Sequence, residues 1–204
     1  MTVFIFDLGG VLSDIDVIGF IARMQNLMPE GEVWEADQNA LLAGGGDSFL
    51  HQYELGEITS EQTLKCFHDM CRPEVTNEQI QQVWLSELAP VQESIKALLR
   101  RLRQNKHTVF LLSNTNEMHW EYIAEMFNYD GYTLEDHFDK VFLSYELHLH
   151  KPEKPIFDEV SKYIPHGEEV IYIDDAERNR IAGEKYAGWR TFESIEQLML
   201  TLNI

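Results

Sequence analysis

The chain has 204 residues, 44% of them hydrophobic and 25% charged, enough to bury a sizeable core and ordinary for a globular protein. Sixteen basic residues against 35 acidic ones give a formal charge of −19. That charge argues against nucleic acid or an anionic membrane as a partner, but a small phosphorylated molecule needs only a local positive group or a metal. Cys66 and Cys71 are the only cysteines; they form no disulfide framework or zinc quartet, and reduced thiols in a cytoplasmic protein are expected. No signal peptide is expected, because Asp7 breaks the first apolar run and no basic stretch precedes it. No stretch approaches the roughly 20 apolar residues of a membrane span.

In chain order, Val3, Phe4, Ile5 and Phe6 run straight into Asp7, with Gly9 and Gly10 just after. A short apolar run ended by glycine predicts a buried strand with Asp7 at its tip. Helical spacing then predicts a helix over 17–27, a second over 33–42 and a turn at Gly44-Gly45-Gly46. A short helical turn over 49–55 follows. Thr59 or Ser60 can cap a helix carrying Leu64, Phe67 and Met70, and Thr76 opens another through Trp84 to Leu88. From Pro90 the character changes. A helix over 92–106 leads to a strand over 108–112 that runs into Ser113-Asn114-Thr115-Asn116. After another helix come a strand near 140–144, a helix opened by Lys151-Pro152, a strand over 170–173 running into Asp174-Asp175, and a short final strand and helix.

Strands alternating with helices imply a parallel sheet covered on both faces. The expected fold is α/β, a Rossmann-like three-layer α/β/α core with an inserted helical cap. Residues 1–16 and 89–204 form the core and 17–88 the cap. The strands ending in Asp7, Ser113-Asn114 and Asp174-Asp175 would bring those groups to one edge of the sheet, where Lys151 supplies a cation. A carboxylate can attack phosphorus, carboxylates can hold Mg²⁺, and lysine with hydroxyl or amide donors can hold phosphoryl oxygens.

The four stretches FIFDLGGVL, VFLLSN, HKPEKPIF and IYIDDAERN resemble, in order and spacing, the four motifs of the haloacid dehalogenase (HAD) superfamily. The resemblance covers the whole chain and is strongest to the bacterial α-D-glucose-1-phosphate phosphatase subgroup. It implies that Asp7 is the nucleophile and a Mg²⁺ ligand, and that Gly9 offers its carbonyl to the metal. Asp175 would be the main further ligand, with Asp174 supporting it and Asn179 behind them. Ser113 and Asn114 would bind the phosphate, and Lys151 would bridge it to Asp7. The implied function is Mg²⁺-dependent hydrolysis of a small phosphorylated metabolite, such as a hexose 1-phosphate, through an aspartyl phosphate. The oligomeric state stays open, a monomer being compatible with the sequence.

One position departs from the pattern. Most phosphatases of the superfamily carry a second aspartate two residues after the nucleophile, and this chain has Gly9 there. Asp14 or Asp16 can substitute as acid and base, or a good leaving group such as an anomeric oxygen needs less help, or the enzyme is slow or inactive. The alternatives are thus a catalytically weak binding or regulatory protein and, with less support, a 2-haloacid dehalogenase. In the cap, His51 and Tyr53 are candidates for contacting the substrate. His148 and His150 share a face of an extended segment but lack a third ligand, so surface histidines are expected.

Overall fold

The computed structural model describes residues 1–33 and 48–202. The helix and glycine turn expected over 33–46 fall almost wholly on 34–47, outside the described residues. A five-stranded, all-parallel sheet has the order β3-β2-β1-β4-β5. Its strands are β1 (Thr2–Phe6), β2 (Thr108–Ser113), β3 (Lys140–Leu143), β4 (Glu169–Ile173) and β5 (Arg190–Phe192). Phe6 aligns with Leu111 on one side and Ile173 on the other, and Asp7 N–H continues the ladder to Ile173 O at 2.8 Å. The central strand therefore delivers Asp7 level with the ends of its two neighbours.

Both sheet faces are buried, which is why the strands read as unbroken apolar runs rather than alternating ones. On one face Phe4, Phe6, Leu111 and Ile173 pack with residues of α5 (Glu93–Gln104), α6 (Glu117–Glu125) and α11 (Ile195–Leu202), among them Leu99, Ile123 and Leu198. On the other, Val3, Ile5, Leu112 and Tyr172 pack with residues of α9 (Lys154–Ser161) and α10 (Glu177–Ala187), such as Phe157 and Ala182. Two short helices, α7 (Leu134–His137) and α8 (Ser144–Leu147), flank β3.

Between β1 and α5 the described chain is helical: α1 (Val17–Gln25), α2 (Phe49–Glu54), α3 (Ser60–His68) and α4 (Asn77–Leu85). Thr59 and Thr76 each cap their helix through a reciprocal bond with a glutamine three residues on, Gln62 and Gln79. These helices close on a separate apolar cluster in which Phe20, Phe67 and Trp84 meet edge-on or tilted, with centroids 5.2–6.3 Å apart. Where the chain leaves and re-enters the sheet layer, residues 14–16 and 87–89 run antiparallel. Ala89 N donates to Asp14 O at 2.9 Å and Asp16 N to Glu87 O at 2.8 Å.

One expected element begins later than the sequence suggests. Lys151-Pro152 does not open a helix: α9 starts at Lys154 behind Glu153, and the Lys151-Pro152 peptide is cis. Lys151 thus sits in a turn, and the side chain of Asn114 shapes that turn from across the site.

Candidate active site

The strand ends build a compact charged floor. Lys151 Nζ, almost wholly buried, lies 2.9 Å from Asp7 Oδ2 and 2.7 Å from Asp174 Oδ2, and donates to Leu112 O at 3.1 Å. Asp174 is completely buried and bonded on both oxygens. Besides Lys151 it accepts from Tyr172 Oη, Asn179 Nδ2 at 3.0 and 3.1 Å, and Ala176 N at 3.0 Å. Buried charge survives only when paired and hydrogen-bonded, and here each site group supplies a partner for the next.

The electrostatics follow from that pairing. Burial, and then the Asp174 carboxylate, push the Asp7 carboxyl well above its usual value, with Lys151 opposing. Burial also works against ionised Asp174, but Lys151 and the donated hydrogen bonds hold it below the usual carboxylate value. Burial opposes the Lys151 ammonium too, and the two aspartates outweigh it and raise its pKa. Asp175 is raised by partial burial and by Asp174.

Asp7, Asp174 and Asp175 each present an oxygen within 4.8 Å of the others. Three carboxylates against one ammonium leave negative charge for a hard divalent cation, which carboxylate oxygens suit. With Asp174 committed on both oxygens, Asp7 and Asp175 are the groups with donor capacity to spare. Among the described residues Asn179 Oδ1 is buried without a hydrogen-bond partner, while its Nδ2 is spent on Asp174. A buried acceptor left without a donor fits a site that holds a hydrated cation. Gly10 allows the close approach of Asp175: it has φ +74°, and a Cβ there would lie 2.4 Å from the Asp175 carboxylate.

Ser113 is buried and faces the cavity above this floor. Asn114 has a different task from the one its motif suggests. Its Oδ1 accepts from Lys151 N at 2.9 Å, and its Nδ2 donates to Lys151 O at 3.0 Å and His150 Nδ1 at 3.1 Å. The carboxamide braces the lysine turn, so only main-chain groups of Asn114 are left for a ligand. His150 is buried, contrary to the surface position expected: its Nε2 donates to Glu54 Oε2 at 3.1 Å, because α2 packs over it. His148 is exposed, with Nδ1 2.7 Å from Leu55 O.

A cavity of about 590 Å³ opens above the floor. Asp14 and Asp16 do not line it. Asp16 caps α1 by accepting from Gly19 N at 2.8 Å and pairs with Arg23 at 3.1 Å, with more than half of its side chain exposed. His51 and Tyr53 do not line it either. The Tyr53 hydroxyl is 2.7 Å from Ser60 Oγ and accepts from Met118 N at 3.0 Å, tying α2 to α3 and α6. His51 packs edge-on against His150 at 4.9 Å. The wall is made instead by Phe20, Leu50, Glu54, Trp84 and Glu87, with Asn116, which caps α6, His119 of α6, and Ile15 next to Gly9. A Cβ at Gly9 would lie 2.3 Å from Ile15 Cδ1, so Ile15 occupies the space a side chain there would need.

Two ionisable groups of the wall, His119 and Glu87, are shifted toward their neutral forms. His119 stacks on Trp84 at 4.4 Å, accepts from Asn116 Nδ2 on Nδ1 and donates from Nε2 to Trp84 O at 3.3 Å. Burial lowers its pKa to about 4. Burial, then the charges of Glu54 and Asp16, raise Glu87 to about 7, with Arg23 opposing.

The haloacid dehalogenase-like hydrolase family model matches residues 1–188. The chain belongs to that family. As a HAD-like hydrolase it is 33% identical, over 93% of its length and 89% of the relative's, to the D-ribitol-5-phosphate phosphatase of Bacteroides thetaiotaomicron. A HAD family enzyme of the same organism, crystallised with magnesium and inorganic phosphate, superposes with a TM-score of 0.79 at 31% identity, covering 94% of this chain and 93% of that one. A HAD-like family hydrolase of Porphyromonas gingivalis superposes with a TM-score of 0.80 over 100% of this chain and 98% of its own, at 24% identity, and shares the fold. None of these three relatives, and not the family description, carries a glucose-1-phosphate name.

Proposed function

We propose that this HAD-like hydrolase is a Mg²⁺-dependent phosphatase of a small polyol or sugar phosphate, acting through an aspartyl phosphate on Asp7. The observation that carries the reading is the buried Lys151 ammonium held 2.9 Å from Asp7 and 2.7 Å from Asp174, beside a third carboxylate. In this reading an Asp7 oxygen attacks phosphorus as the ester P–O bond breaks, and the departing oxygen takes up a proton. Water then attacks phosphorus, and the Asp7 carboxylate leaves as phosphate is released. Lys151, the Ser113 hydroxyl and the main chain at Asn114 hold phosphoryl oxygens, and Asn114 keeps Lys151 in place. Asp7 and Asp175, with the Gly9 carbonyl, would hold Mg²⁺, which when bound neutralises phosphate charge against the carboxylates. Asp174 and Asn179 orient that set.

Residues 17–88 act as a cap over a core of 1–16 and 89–204, and the cap supplies much of the cavity wall. That wall mixes aromatic faces with carboxyl, amide and imidazole groups, which suits an uncharged hydroxylated chain and disfavours a second anionic group on the substrate. The D-ribitol-5-phosphate phosphatase likeness points the same way. It favours a terminal alkyl phosphate over the anomeric 1-phosphate suggested by the sequence. The clustered carboxylates weigh against a dehalogenase. Free Cys66 and Cys71 fit the cytoplasmic setting proposed.

The test is Mg²⁺-dependent phosphate release across pentitol, pentose, hexose and carboxylate-bearing phosphate esters, with Asp7→Asn alongside. The reading predicts release confined to the neutral polyol or sugar class and abolished by Asp7→Asn and by chelator. Silence of the wild type on every ester, with a ligand still bound, would point instead to the binding protein that Gly9 allows.

A further inference from the structure

The phosphatase reading leaves one part unassigned. An alkoxide is a poor leaving group and needs a proton as the P–O bond breaks, and the water that cleaves the aspartyl phosphate needs a base. The position that would carry such a group is Gly9, and Ile15 Cδ1 fills its side-chain space. The proton must come from another wall of the same cavity.

The cavity's remaining ionisable groups can be sorted by what they already do. Lys151 is locked between Asp7 and Asp174. His119 has both ring nitrogens engaged, with Nε2–H on Trp84 O and Nδ1 accepting from Asn116. Glu54 accepts from His150. Glu177 is exposed, in the first turn of α10. Arg178 offers only N–H donors and no acceptor.

Glu87 differs from all of these. It lines the cavity from the strand pairing that joins the helical segment to the sheet layer, where its carbonyl accepts from Asp16 N at 2.8 Å. Its side chain is 13% exposed, and its Oε2 lies 3.8 Å from His119 Nε2, too far for a hydrogen bond. Among the described residues its carboxyl has no hydrogen-bond partner, so the group is free to meet a ligand.

We infer that Glu87 is the general acid and base of the reaction, acting from the hinge side of the cavity in place of a side chain at Gly9. The inference rests on the phosphatase reading. In the first step the Glu87 carboxyl gives its proton to the ester oxygen as phosphorus passes to Asp7. In the second the Glu87 carboxylate takes a proton from the attacking water, phosphate leaves, and Asp7 and Glu87 return to their starting states. Burial and the facing carboxylates Glu54 and Asp16 keep this group protonated near neutrality, against Arg23, and the neighbouring His119 is neutral there. An acid poised near the working pH can serve both steps.

The experiment compares wild type, Glu87→Gln and Asp7→Asn on two substrates with Mg²⁺: ribitol 5-phosphate and p-nitrophenyl phosphate, whose phenolate leaves without a proton. Glu87→Gln is expected to lose about 10²–10⁴-fold in kcat on ribitol 5-phosphate. Its kcat/KM profile should also lose the wild type's fall above about pH 7. On p-nitrophenyl phosphate the same variant should release one burst of nitrophenol per enzyme and then turn over slowly, because phosphoryl transfer to Asp7 survives while its hydrolysis does not. Unchanged turnover, or an equal loss on both substrates with no burst, would overturn the assignment of Glu87. Should wild type and Asp7→Asn be equally silent on both esters, the phosphatase reading fails first, whatever Glu87 does.

Discussion

The floor and the wall of the cavity handle buried ionisable groups in opposite ways. On the floor Lys151 lies 2.7–2.9 Å from Asp174 and Asp7; this pairing favours the Lys151 ammonium and the Asp174 carboxylate, while burial and Asp174 raise Asp7 against the pull of Lys151. On the wall Glu87 and His119 are kept neutral by burial, one shifted up to about 7 and the other down to about 4. Paired charges are rigid and generic: they fit any phosphate and do not depend on what it is attached to. A buried carboxyl without a hydrogen-bond partner, as at Glu87, is costly, and its natural use is the part that varies, the leaving group and its proton.

The comparison is broken most severely at Lys151. Lys151→Met leaves two carboxylates facing each other without their cation, and removing one partner of a buried ion pair costs about 3–5 kcal/mol. In a chain of this size that lowers Tm by about 6–20 °C, measurable by thermal melting, with phosphatase turnover lost as well. The matching change on the wall has the opposite sign. A carboxyl that is neutral when folded and ionised when unfolded stabilises most fully below its ordinary pKa of 4.5, and that contribution is lost as pH rises through about 7. Glu87→Gln is therefore expected to be more stable than wild type at pH 8, by about 2–3 kcal/mol, and nearly equal to it at pH 4.5. Urea melts at the two pH values check this, and a variant that gains stability while losing turnover marks a group retained for function.

The sequence carried the floor almost complete, because its groups are fixed by strand ends and one parallel sheet brings strand ends together. Asp7, Ser113 and Asp174 each follow directly on an apolar run, and Asp175 comes next after Asp174. The wall was illegible for a physical reason: its residues meet only through packing of the helical segment against α6. Glu87 reads as one more polar residue before Pro90, and His119 as one position of a helix. The sole hint was WLSELAP itself, an aromatic and an acid just ahead of the return to the sheet. His51 and Tyr53 drew attention by residue type, yet the packing of α2 turns them to His150 and Met118. Asn114 was placed correctly at its strand end, but its bonds to Lys151 depend on a contact across 37 residues.

Smaller effects sharpen the contrast. Gly9→Asp should fold less stably than wild type, since its Cβ meets Ile15 Cδ1 at 2.3 Å. Adding Ile15→Ala should recover the stability, and in a Glu87→Gln background the pair should restore about 10-fold or more of the lost turnover on an alkyl phosphate. His119 gives the mildest signature. Its pKa is depressed in the fold, so its contribution is fully present above about 6.5 and is lost as pH falls through about 4. In wild type this slope opposes that of Glu87 between about pH 4.5 and 6.5, and the two offset each other. Relative to wild type, Glu87→Gln should thus gain stability with rising pH across that window, by up to about 1.4 kcal/mol per pH unit.

The most direct test of the account is to look for the phosphoryl group on Asp7. Wild type mixed with Mg²⁺ and ribitol 5-phosphate or p-nitrophenyl phosphate is quenched in acid within one turnover, digested, and its peptides weighed by mass spectrometry. The account predicts one added phosphoryl group on the peptide containing Asp7, absent from Asp7→Asn and accumulating in Glu87→Gln on p-nitrophenyl phosphate. Phosphate released with no label on that peptide at any quench time, or a label carried by another residue, would contradict it.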